Sequence, residues 1–340
     1  MDPLAAGATR AGLRRHRALT SMRPAAIVIN STLARDLGRF RRRCREAAAA
    51  GGWEPSFLPT TLDERGVGLA RAAVAGGARM IVAAGGDGTV RACAQALAGT
   101  QVPLAIVPLG TANLAARALG IPPRIGGSLA TAFGGQERRI DLAVAGGAAG
   151  ATVAGAVAGA AGAGAAGGAG DLTFAAMAGI GLDAEVVAAT PRLLKRRAGW
   201  LAYGAAGIAH LAGRGEPFTV RLDDDEPLAR QARCVVVGNA GLLPGGFTLL
   251  PRARLDDGLL DVGILAPAGP AGWLRVAHQV LSRGGRDGPQ LERHQARRVE
   301  IRTDAELPRE VDGEVITPGR SLTVTLLRRA LTVRVPPPGS

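Results

Sequence analysis

The sequence predicts an α/β domain with a parallel sheet and flanking helices, followed by a β-rich, sandwich-like domain. Two glycine-rich segments, Gly85–Thr89 and Leu109–Asn113, each follow a short unalternating apolar run and precede a helical pattern. Such runs are typical of strands that are buried on both faces of a parallel sheet. From Leu172 onward strand-like runs dominate, as in a β-rich domain. The 340 residues are enough for two domains.

The N-terminal elements alternate between strand and helix, which implies a parallel sheet with helices on both faces. In chain order the predicted elements are Ala25–Asn30, Asp36–Ala50, Trp53–Leu58, Asp63–Ala75, Arg79–Ala84, Val90–Leu97, Pro103–Pro108 and Leu114–Leu119. This domain is assigned to residues 24–140, and residues 1–23 are assigned to a disordered, arginine-rich leader.

The two glycine-rich segments are expected to lie side by side at the carboxyl edge of the sheet, where ligands bind in α/β folds. Glycine lets the backbone approach a phosphate closely, and the N–H groups that open the next helix supply donors. The pattern therefore predicts a site for a phosphate-bearing ligand.

The second domain is assigned to residues 141–321. Its predicted strands are Leu172–Met177, Pro217–Leu222, Ala232–Val237, Leu259–Leu265 and Val299–Thr303, with helices at Ala198–Leu211 and Gly272–Ser282. Residues 143–170 contain only Ala, Gly, Val and Thr, and we interpret them as a long loop because frequent glycine disfavours a membrane helix. Residues 322–335 predict two more strands, one of which is expected to return to the first domain.

Composition narrows the classes of partner and compartment. The net charge of +13 is almost entirely arginine, since Lys195 is the only lysine, and aromatic residues make up only 3% of the chain. These features favour a compositional origin of the charge over nucleic-acid binding, for which aromatic stacking is typical. Cys44, Cys93 and Cys234 have neither disulfide nor zinc spacing, which fits a reducing compartment, and the leader lacks the apolar region of a secretory signal.

Two common phosphotransfer scaffolds are excluded. A P-loop requires Gly-Lys-Ser/Thr and a protein kinase requires a strand lysine, whereas Lys195 has no glycine before it. No Gly-x-Ser-x-Gly segment supports hydrolysis by a serine nucleophile. The histidines have no cysteine or aspartate partners at metal-ligand spacing.

The motifs, taken together, resemble the diacylglycerol kinase catalytic family, which includes bacterial soluble lipid kinases and is related to sphingosine kinases and NAD kinases. The matching segments are Gly85–Thr89, Pro108–Asn113, Ala178–Asp183, Gly238–Asn239, Gly245–Gly246, Pro251–Asp261 and Val311–Glu314, and they run in the order of the family. The resemblance implies a two-domain lipid kinase whose NAD-kinase-like α/β domain binds ATP and whose β-rich domain carries the lipid site.

The resemblance also implies roles for individual residues. The nucleotide-binding set is Thr61, Gly85, Gly86, Asp87, Gly88, Thr89, Gly110 and Thr111. Thr60 is an alternative to Thr61. Because a carboxylate is repelled by phosphates, we expect either Mg²⁺ or a helix amide beside Asp87, and capping of its own helix at Thr89 or Val90 is the structural alternative. Asn113 is expected to cap the helix that follows it.

Two further carboxylates complete the implied site. Asp257 resembles a Mg²⁺ ligand, with the backbone carbonyls of Arg254 and Leu259 as partners, and the alternative is an ordinary β-turn. Glu314 is the candidate general base that takes the proton of a lipid hydroxyl, alongside Asp87 as the other catalytic carboxylate. An exposed hairpin turn is the alternative for Glu314.

The sequence departs from the family at three places. The loop after the first strand lacks the usual Pro and Gly, Arg91-Ala92 stands where many members have Asn-Glu, and Leu114 stands where many have Asp. The expected activity is ATP-dependent phosphorylation of a lipid hydroxyl, with diacylglycerol as the first choice of acceptor. The alternatives are an NAD-kinase-like enzyme and a non-catalytic nucleotide or lipid sensor. Expected partners are ATP, Mg²⁺ and a lipid at the inner face of the membrane, for a cytoplasmic protein that binds no nucleic acid, with a homodimer left open.

Overall fold

The structure is a computed structural model and describes residues 22–34, 36–61, 64–146, 172–181, 215–243, 248–281 and 288–339. Its first ten elements are β1 (Arg23–Ile29), α1 (Leu37–Ala50), β2 (Trp53–Pro59), α2 (Val67–Ala75), β3 (Met80–Gly85), α3 (Asp87–Leu97), β4 (Leu104–Pro108), α4 (Leu114–Ala118), α5 (Ile125–Gly134) and β5 (Gln136–Gly146). The remaining elements are β6 (Leu172–Phe174), β7 (Met177–Gly181), β8 (Glu216–Leu222), β9 (Leu228–Ala232), β10 (Cys234–Gly238), β11 (Leu260–Leu265), α6 (Gly269–Leu281), β12 (Leu291–Ala296), β13 (Arg298–Val311) and β14 (Glu314–Val335).

The N-terminal half is a parallel sheet in the order β2-β1-β3-β4 with helices on both faces. Successive side chains of a strand point to opposite faces, so β1 sends Ile27 and Val28 into different cores. Ile27 packs in the core that contains Phe40 of α1 and Phe133 of α5, whereas Val28 packs with residues of α2 and α3. This architecture confirms the predicted α/β domain.

The C-terminal half is dominated by antiparallel strands. Strand β7 pairs with β10 and β13, the pairing continues from β10 through β11 to β12, and β8 pairs with β13 and β9. A second core, which includes Phe174, Phe218, Val262 and Ile301, fills the space between these strands. This arrangement confirms the predicted β-rich, sandwich-like fold.

The long strands β5 and β14 connect the two halves. Strand β14 pairs in parallel with β4 at Val333 and Leu104, and antiparallel with both β13 and β5. It is one strand with a register shift between Leu327 and Leu331, so the prediction of two separate strands in 322–335 is wrong. The predicted domain boundary at 140/141 falls inside β5, and residues 143–146 belong to this strand rather than to a loop.

Several other boundaries differ from the predictions. The predicted strand at 172–177 is interrupted at Ala175-Ala176, and β7 begins at Met177. Helix α5 was missed because its three glycines lower helix propensity, which the burial of Leu129 and Phe133 overcomes. Strand β12 was missed because its sequence is mostly polar. The predicted helix 198–211, the leader up to residue 21 and residues 147–170 lie outside the described residues. Within the described residues, no helix is long and apolar enough to cross a membrane.

Candidate active site

The two glycine-rich loops are in direct contact at the carboxyl edge of the parallel sheet. The N–H of Leu109 donates to the carbonyl of Gly85 at 2.8 Å. A Cβ atom at Gly110 would lie only 2.6 Å from the Cα atom of Gly86, which is closer than real side chains tolerate. Glycine is therefore required at this contact, because only bare backbone fits between the two loops.

Asp87 links the loops electrostatically. It is the first residue of α3, and its carboxylate accepts a hydrogen bond from the N–H of Leu114, the first residue of α4, at 2.7 Å. Burial raises the pKa of Asp87, and the N–H groups of Leu114, Asn113 and Ala115 oppose that shift. A helix amide thus lies beside Asp87. The alternative that Asp87 caps its own helix is wrong, because the N–H groups of the next turn donate to Gly86.

The side chain of Asn113 closes the second loop and makes no capping hydrogen bond to α4. Its backbone is left-handed, with φ of 49°, which Asn tolerates better than most residues. The side chain accepts from the N–H of Gly110 at 3.1 Å and donates to the carbonyl of Gly110 at 2.8 Å. Asn113 therefore stands at the predicted N-cap position of α4, but its side chain does not cap the helix, and Asp87 supplies the side-chain acceptor.

The other predicted nucleotide residues differ in exposure. Gly88 and Thr111 are exposed at the two loops, whereas Thr89 is buried and its side chain fills the space beside Gly85. Thr61 is exposed at the end of β2, and its hydroxyl accepts from the N–H of Glu64 at 3.0 Å. The exposed backbone of the loops is thus available to a ligand, while Thr89 has a packing role in this structure.

The β13–β14 hairpin approaches the same place from the C-terminal half. Its two-residue turn has positive φ at Asp312 (50°) and at Gly313 (77°), as in a type I′ turn, for which Asp-Gly is a favoured sequence. The Asp312 carboxylate accepts from the N–H groups of Ala176 and Met177, both at 3.0 Å, and from that of Ala175 at 3.3 Å. Burial raises the pKa of Asp312 to about 6.

Glu314, the first residue of β14, projects from this turn to α3. One of its carboxylate oxygens is paired with Arg65 and the other with Arg91. Arg91 also attracts the Asp312 carboxylate, while Asp87 repels it, so Arg91 lies close to both Glu314 and Asp312. The structure therefore brings the first glycine loop together with the late Asp-Gly-Glu motif, as the resemblance implies.

The predicted metal loop lies elsewhere on the same assembly. Arg254 lines a cavity of about 280 Å³ together with Arg117, which lies near the C-terminal end of α4, whereas Asp87 meets the N-terminal end of that helix. Gly258, next to Asp257, lies against Arg328 of β14, fourteen residues along that strand from Glu314, so the structure does not bring Asp257 to Glu314. The family's metal ion, if bound here, would act on the packing of the two halves rather than on the transferred group.

The oxygen donors of this loop suit a hard cation such as Mg²⁺. Asp257 is exposed, and one carboxylate oxygen accepts from the N–H of Leu259 at 3.1 Å, which is a turn contact. Burial raises its pKa, and the nearby Asp141 carboxylate raises it further. A hard cation on the second oxygen of Asp257 would relieve this repulsion, so the donors fit Mg²⁺. No group of three His, Cys, Asp or Glu side chains forms a metal cluster in the described part of the chain.

Two features of the site were missed by sequence reasoning. Asp312 was given no role of its own, although three N–H groups converge on its carboxylate. Asp141 is fully buried and accepts from the N–H of Gly258 at 2.8 Å and that of Arg329 at 2.6 Å, which ties the metal loop to β14. The signal for Asp141 was that it is a lone carboxylate in the apolar run of β5. The signal for a charged cluster around Asp312 was the arginine at position 91, where the family usually has Asn.

Comparisons with known proteins agree with this geometry. Residues 24–145 match the model of the diacylglycerol kinase catalytic domain, and residues 176–335 match that of the YegS C-terminal NAD kinase beta sandwich-like domain. A Pseudomonas fluorescens protein named "probable lipid kinase YegS-like" is 30% identical over 93% of this chain and 96% of its own length. A Synechocystis protein named "uncharacterized protein sll0036" is also 30% identical, and the match covers 76% of this chain but only 55% of that protein.

Solved structures share the fold. A crystal structure from Bacillus anthracis str. Sterne, named as a diacylglycerol kinase, covers 93% of this chain with a TM-score of 0.67 at 20% identity. At that identity the likeness establishes the architecture alone. The two domain matches and the full-length relatives show that the chain belongs to the diacylglycerol kinase catalytic-domain family, in the branch with a YegS-type C-terminal domain.

Proposed function

We propose that the protein is an ATP-dependent lipid kinase that transfers the γ-phosphate of ATP to a lipid hydroxyl, with diacylglycerol as the first acceptor to test. The observation that carries the proposal is the meeting of the first glycine loop with the Asp312–Glu314 turn. A phosphate-binding loop and a carboxylate within reach of it are the parts that phosphoryl transfer to an alcohol requires. Membership of the family and the names of its relatives support a lipid as the alcohol.

In the proposed reaction the backbone of the two glycine loops holds the phosphates of ATP. Gly86 and Gly110 pack backbone against backbone and hold the two loops together, while the open backbone at Gly88 and Thr111 is left for the phosphates. The N–H groups at the start of α3 face the ligand as donors, as helix N-termini do for phosphates. ATP bound in this way presents its γ-phosphate toward the Asp312–Glu314 turn.

Glu314 is proposed to accept the proton of the lipid hydroxyl as the hydroxyl oxygen attacks the γ-phosphorus. The bond between that phosphorus and the β,γ-bridging oxygen breaks, ADP leaves, and the proton passes from Glu314 to water. Mg²⁺ is expected to neutralise phosphate charge when it is bound with ATP, and Asp257, with the carbonyls of Arg254 and Leu259, is the proposed site of a second, bracing ion.

The test is transfer of labelled γ-phosphate to lipids in mixed micelles. Separate reactions should contain diacylglycerol, a phospholipid with a free headgroup hydroxyl, a sphingoid base, and NAD as the non-lipid acceptor. We expect labelled lipid from the wild-type protein and a loss of about 100-fold or more in kcat for Glu314→Gln. Glu300→Gln is a matched control, because Glu300 also pairs with two arginines but lies on β13.

The outcomes separate the alternatives. Transfer to NAD in preference to every lipid would support the NAD-kinase-like reading. The second alternative is a sensor that binds nucleotide without turnover. It is supported by the two arginines that hold both Glu314 oxygens and by Arg91-Ala92 in place of the family's Asn-Glu. Nucleotide binding without transfer to any acceptor would support that sensor. Full activity of Glu314→Gln would dismiss Glu314 as the base.

Access to a lipid requires contact with a membrane surface, and we propose a peripheral contact by a cytoplasmic protein. Leu274 of α6 is 72% exposed, the most of the exposed large hydrophobic residues in the described part of the chain, and Arg275 beside it is also exposed. An apolar side chain next to a cation suits an anionic lipid surface. Cosedimentation with anionic vesicles is expected to fall as salt rises.

A further inference from the structure

We infer that Arg91 is a specificity-determining residue that binds the γ-phosphate of the nucleotide and thereby gives preference to ATP over ADP. The inference rests on the proposed function, because it requires a nucleotide in the two glycine loops. It assigns a role to a residue that stands where the family usually has Asn.

The position of Arg91 on α3 points it at the phosphate loop. Arg91 follows Asp87 by four residues, so the two side chains lie on the same face of the helix. Helical side chains lean toward the helix N-terminus, which here is the glycine loop. Four residues of helix span only about 6 Å, a distance that an arginine side chain covers. The guanidinium can therefore reach the group that is bound at the start of α3.

One donor of the Arg91 guanidinium is buried and unsatisfied. Only 11% of the side chain is exposed, and Nη2 pairs with Glu314. Nη1 is buried and has no hydrogen-bond partner among the described residues. A buried, unsatisfied donor of a charged group is costly, so such a donor is usually met by a ligand or an ion. An oxygen of the γ-phosphate would satisfy Nη1 with a charge-assisted hydrogen bond.

The charges around Arg91 show which cation could face a bound phosphate. Arg91 is surrounded by the carboxylates of Glu314 and Asp312, with Asp87 close to the latter. The second arginine on Glu314, Arg65, is 61% exposed, so water screens its charge more strongly. Arg91 is thus the buried cation that can offset the repulsion between a γ-phosphate and these carboxylates. Among the described residues no lysine competes for this role, because Lys195 lies outside them.

The inference also explains how Glu314 becomes available to the acceptor. In this structure both of its oxygens are held by arginines. When both terminal nitrogens of Arg91 turn to the γ-phosphate, Nη2 leaves Glu314, and the released Glu314 oxygen can accept the hydroxyl proton. Arrival of ATP, but not of ADP, would therefore prepare the base.

The experiment compares direct binding of a non-hydrolysable ATP analogue, adenylyl imidodiphosphate, with that of ADP by calorimetry, without lipid. For the wild-type protein we expect tighter binding of the analogue. For Arg91→Asn we expect the analogue to bind about 10- to 100-fold more weakly, with ADP affinity changed less than about 2-fold. Arg79→Asn is the matched control, because it removes the same charge from an exposed residue beside the other end of β3.

Two more variants keep the test decisive if Arg91→Asn is unstable. Arg91→Lys keeps a cation without the guanidinium fork, and it should restore part of the preference for the analogue. Glu314→Gln removes the carboxylate that competes for Arg91, so it should bind the analogue at least as tightly as the wild-type protein. A purely structural pair would instead weaken both nucleotides in both variants, which would overturn the inference.

Failure of the inference and failure of the proposed function give different results. If the wild-type protein binds neither nucleotide, the proposed function and the inference both fall. If it binds both nucleotides and phosphorylates lipid, but Arg91→Asn keeps the preference for the analogue, only the inference is overturned.

Discussion

The buried carboxylate of Asp312 makes the stability of the fold depend on pH. Three backbone N–H groups hold its oxygens, yet burial still raises its pKa from 3.8 to about 6. The folded protein therefore binds this proton more tightly than the unfolded chain does. Between about pH 4 and pH 6 the unfolded chain has already released the proton, so the contribution of Asp312 to stability falls as pH rises through this window.

We predict that Asp312→Asn flattens the dependence of stability on pH. Two pK units correspond to ~3 kcal/mol of unfolding free energy at full strength. Asn adopts positive φ readily, and Asn-Gly is a favoured type I′ sequence, so the turn is expected to persist. The measurement is urea unfolding at pH 4, 5, 6 and 7. The difference between the variant and the wild-type protein should shift in favour of the variant as pH rises.

The comparison must be a difference because Asp261 titrates in the same range. Burial raises the pKa of Asp261 to about 6 as well, and that group is unchanged in the variant. Asp224→Asn, at an exposed carboxylate in the turn between β8 and β9, is a control for a general effect of charge. Parallel stability curves for Asp312→Asn and the wild-type protein would show that Asp312 stays ionised in the fold throughout this range.

At the scale of elements, the glycines of the two loops have different roles: some pack the loops together, and others leave room for a ligand. Gly110 lies against Gly86 with no room for a Cβ atom, whereas a Cβ atom at Gly88 would meet nothing within 4 Å. Gly88 is inside α3, where replacement of glycine by alanine favours the helix. The same substitution thus has opposite structural consequences at the two loops.

We predict that Gly110→Ala lowers stability by about 1–3 kcal/mol, because two backbones are forced apart. Gly88→Ala should leave stability equal or raise it by about 0.5–1 kcal/mol. Its methyl group would nevertheless stand where the phosphates are proposed to bind, so ATP affinity should fall at least about 10-fold, a figure equivalent to 1.4 kcal/mol. Thermal unfolding and calorimetric titration with ATP measure the two effects. Undiminished ATP binding by Gly88→Ala would place the phosphates away from the start of α3.

Elements with a clear local pattern were predicted correctly, and those whose form depends on distant contacts were not. The buried strands around the glycine loops were evident because their apolar runs are bounded by glycine. Helix α5 and strand β12 depend on tertiary packing that overrides weak propensity. The sequence likewise identified Glu314, but its pairing with Arg91 joins residues 223 positions apart. No local pattern predicts such a contact.

At the scale of the whole molecule, β14 makes the two halves interdependent. Its C-terminal part lies between β4 and β5, and its N-terminal part pairs with β13. Leu322 and Val324 are buried in the core with Phe218, while Leu331 and Val333 are buried in the core that contains Val28 and Leu104. One strand therefore contributes to both cores, and removal of it would expose backbone edges in both halves.

We predict that the halves unfold together and that residues 1–146 do not fold alone. Without β14 this fragment would leave β4 and β5 without their shared neighbour, and the side chains of Leu104 and Ile140 would lose apolar contacts. Buried apolar surface is the main source of stability, so the fragment is expected to resemble a collapsed chain that binds hydrophobic dyes. Addition of residues 297–340 as a separate chain should restore native secondary structure in part.

The measurement is denaturant unfolding followed by two probes that report on different halves. Fluorescence of Trp53, made the sole tryptophan by replacing Trp200 and Trp273, reports on β2, and a fluorophore on a cysteine placed at exposed Ala229 reports on β9. Coincident transitions are expected, since one cooperative unit gives the same midpoint with every probe. Two separated midpoints, or a folded 1–146 fragment, would contradict the prediction. The proposed site lies between elements of both halves, so a shared unfolding transition would also mean that the Glu314 turn and the glycine loops are lost together.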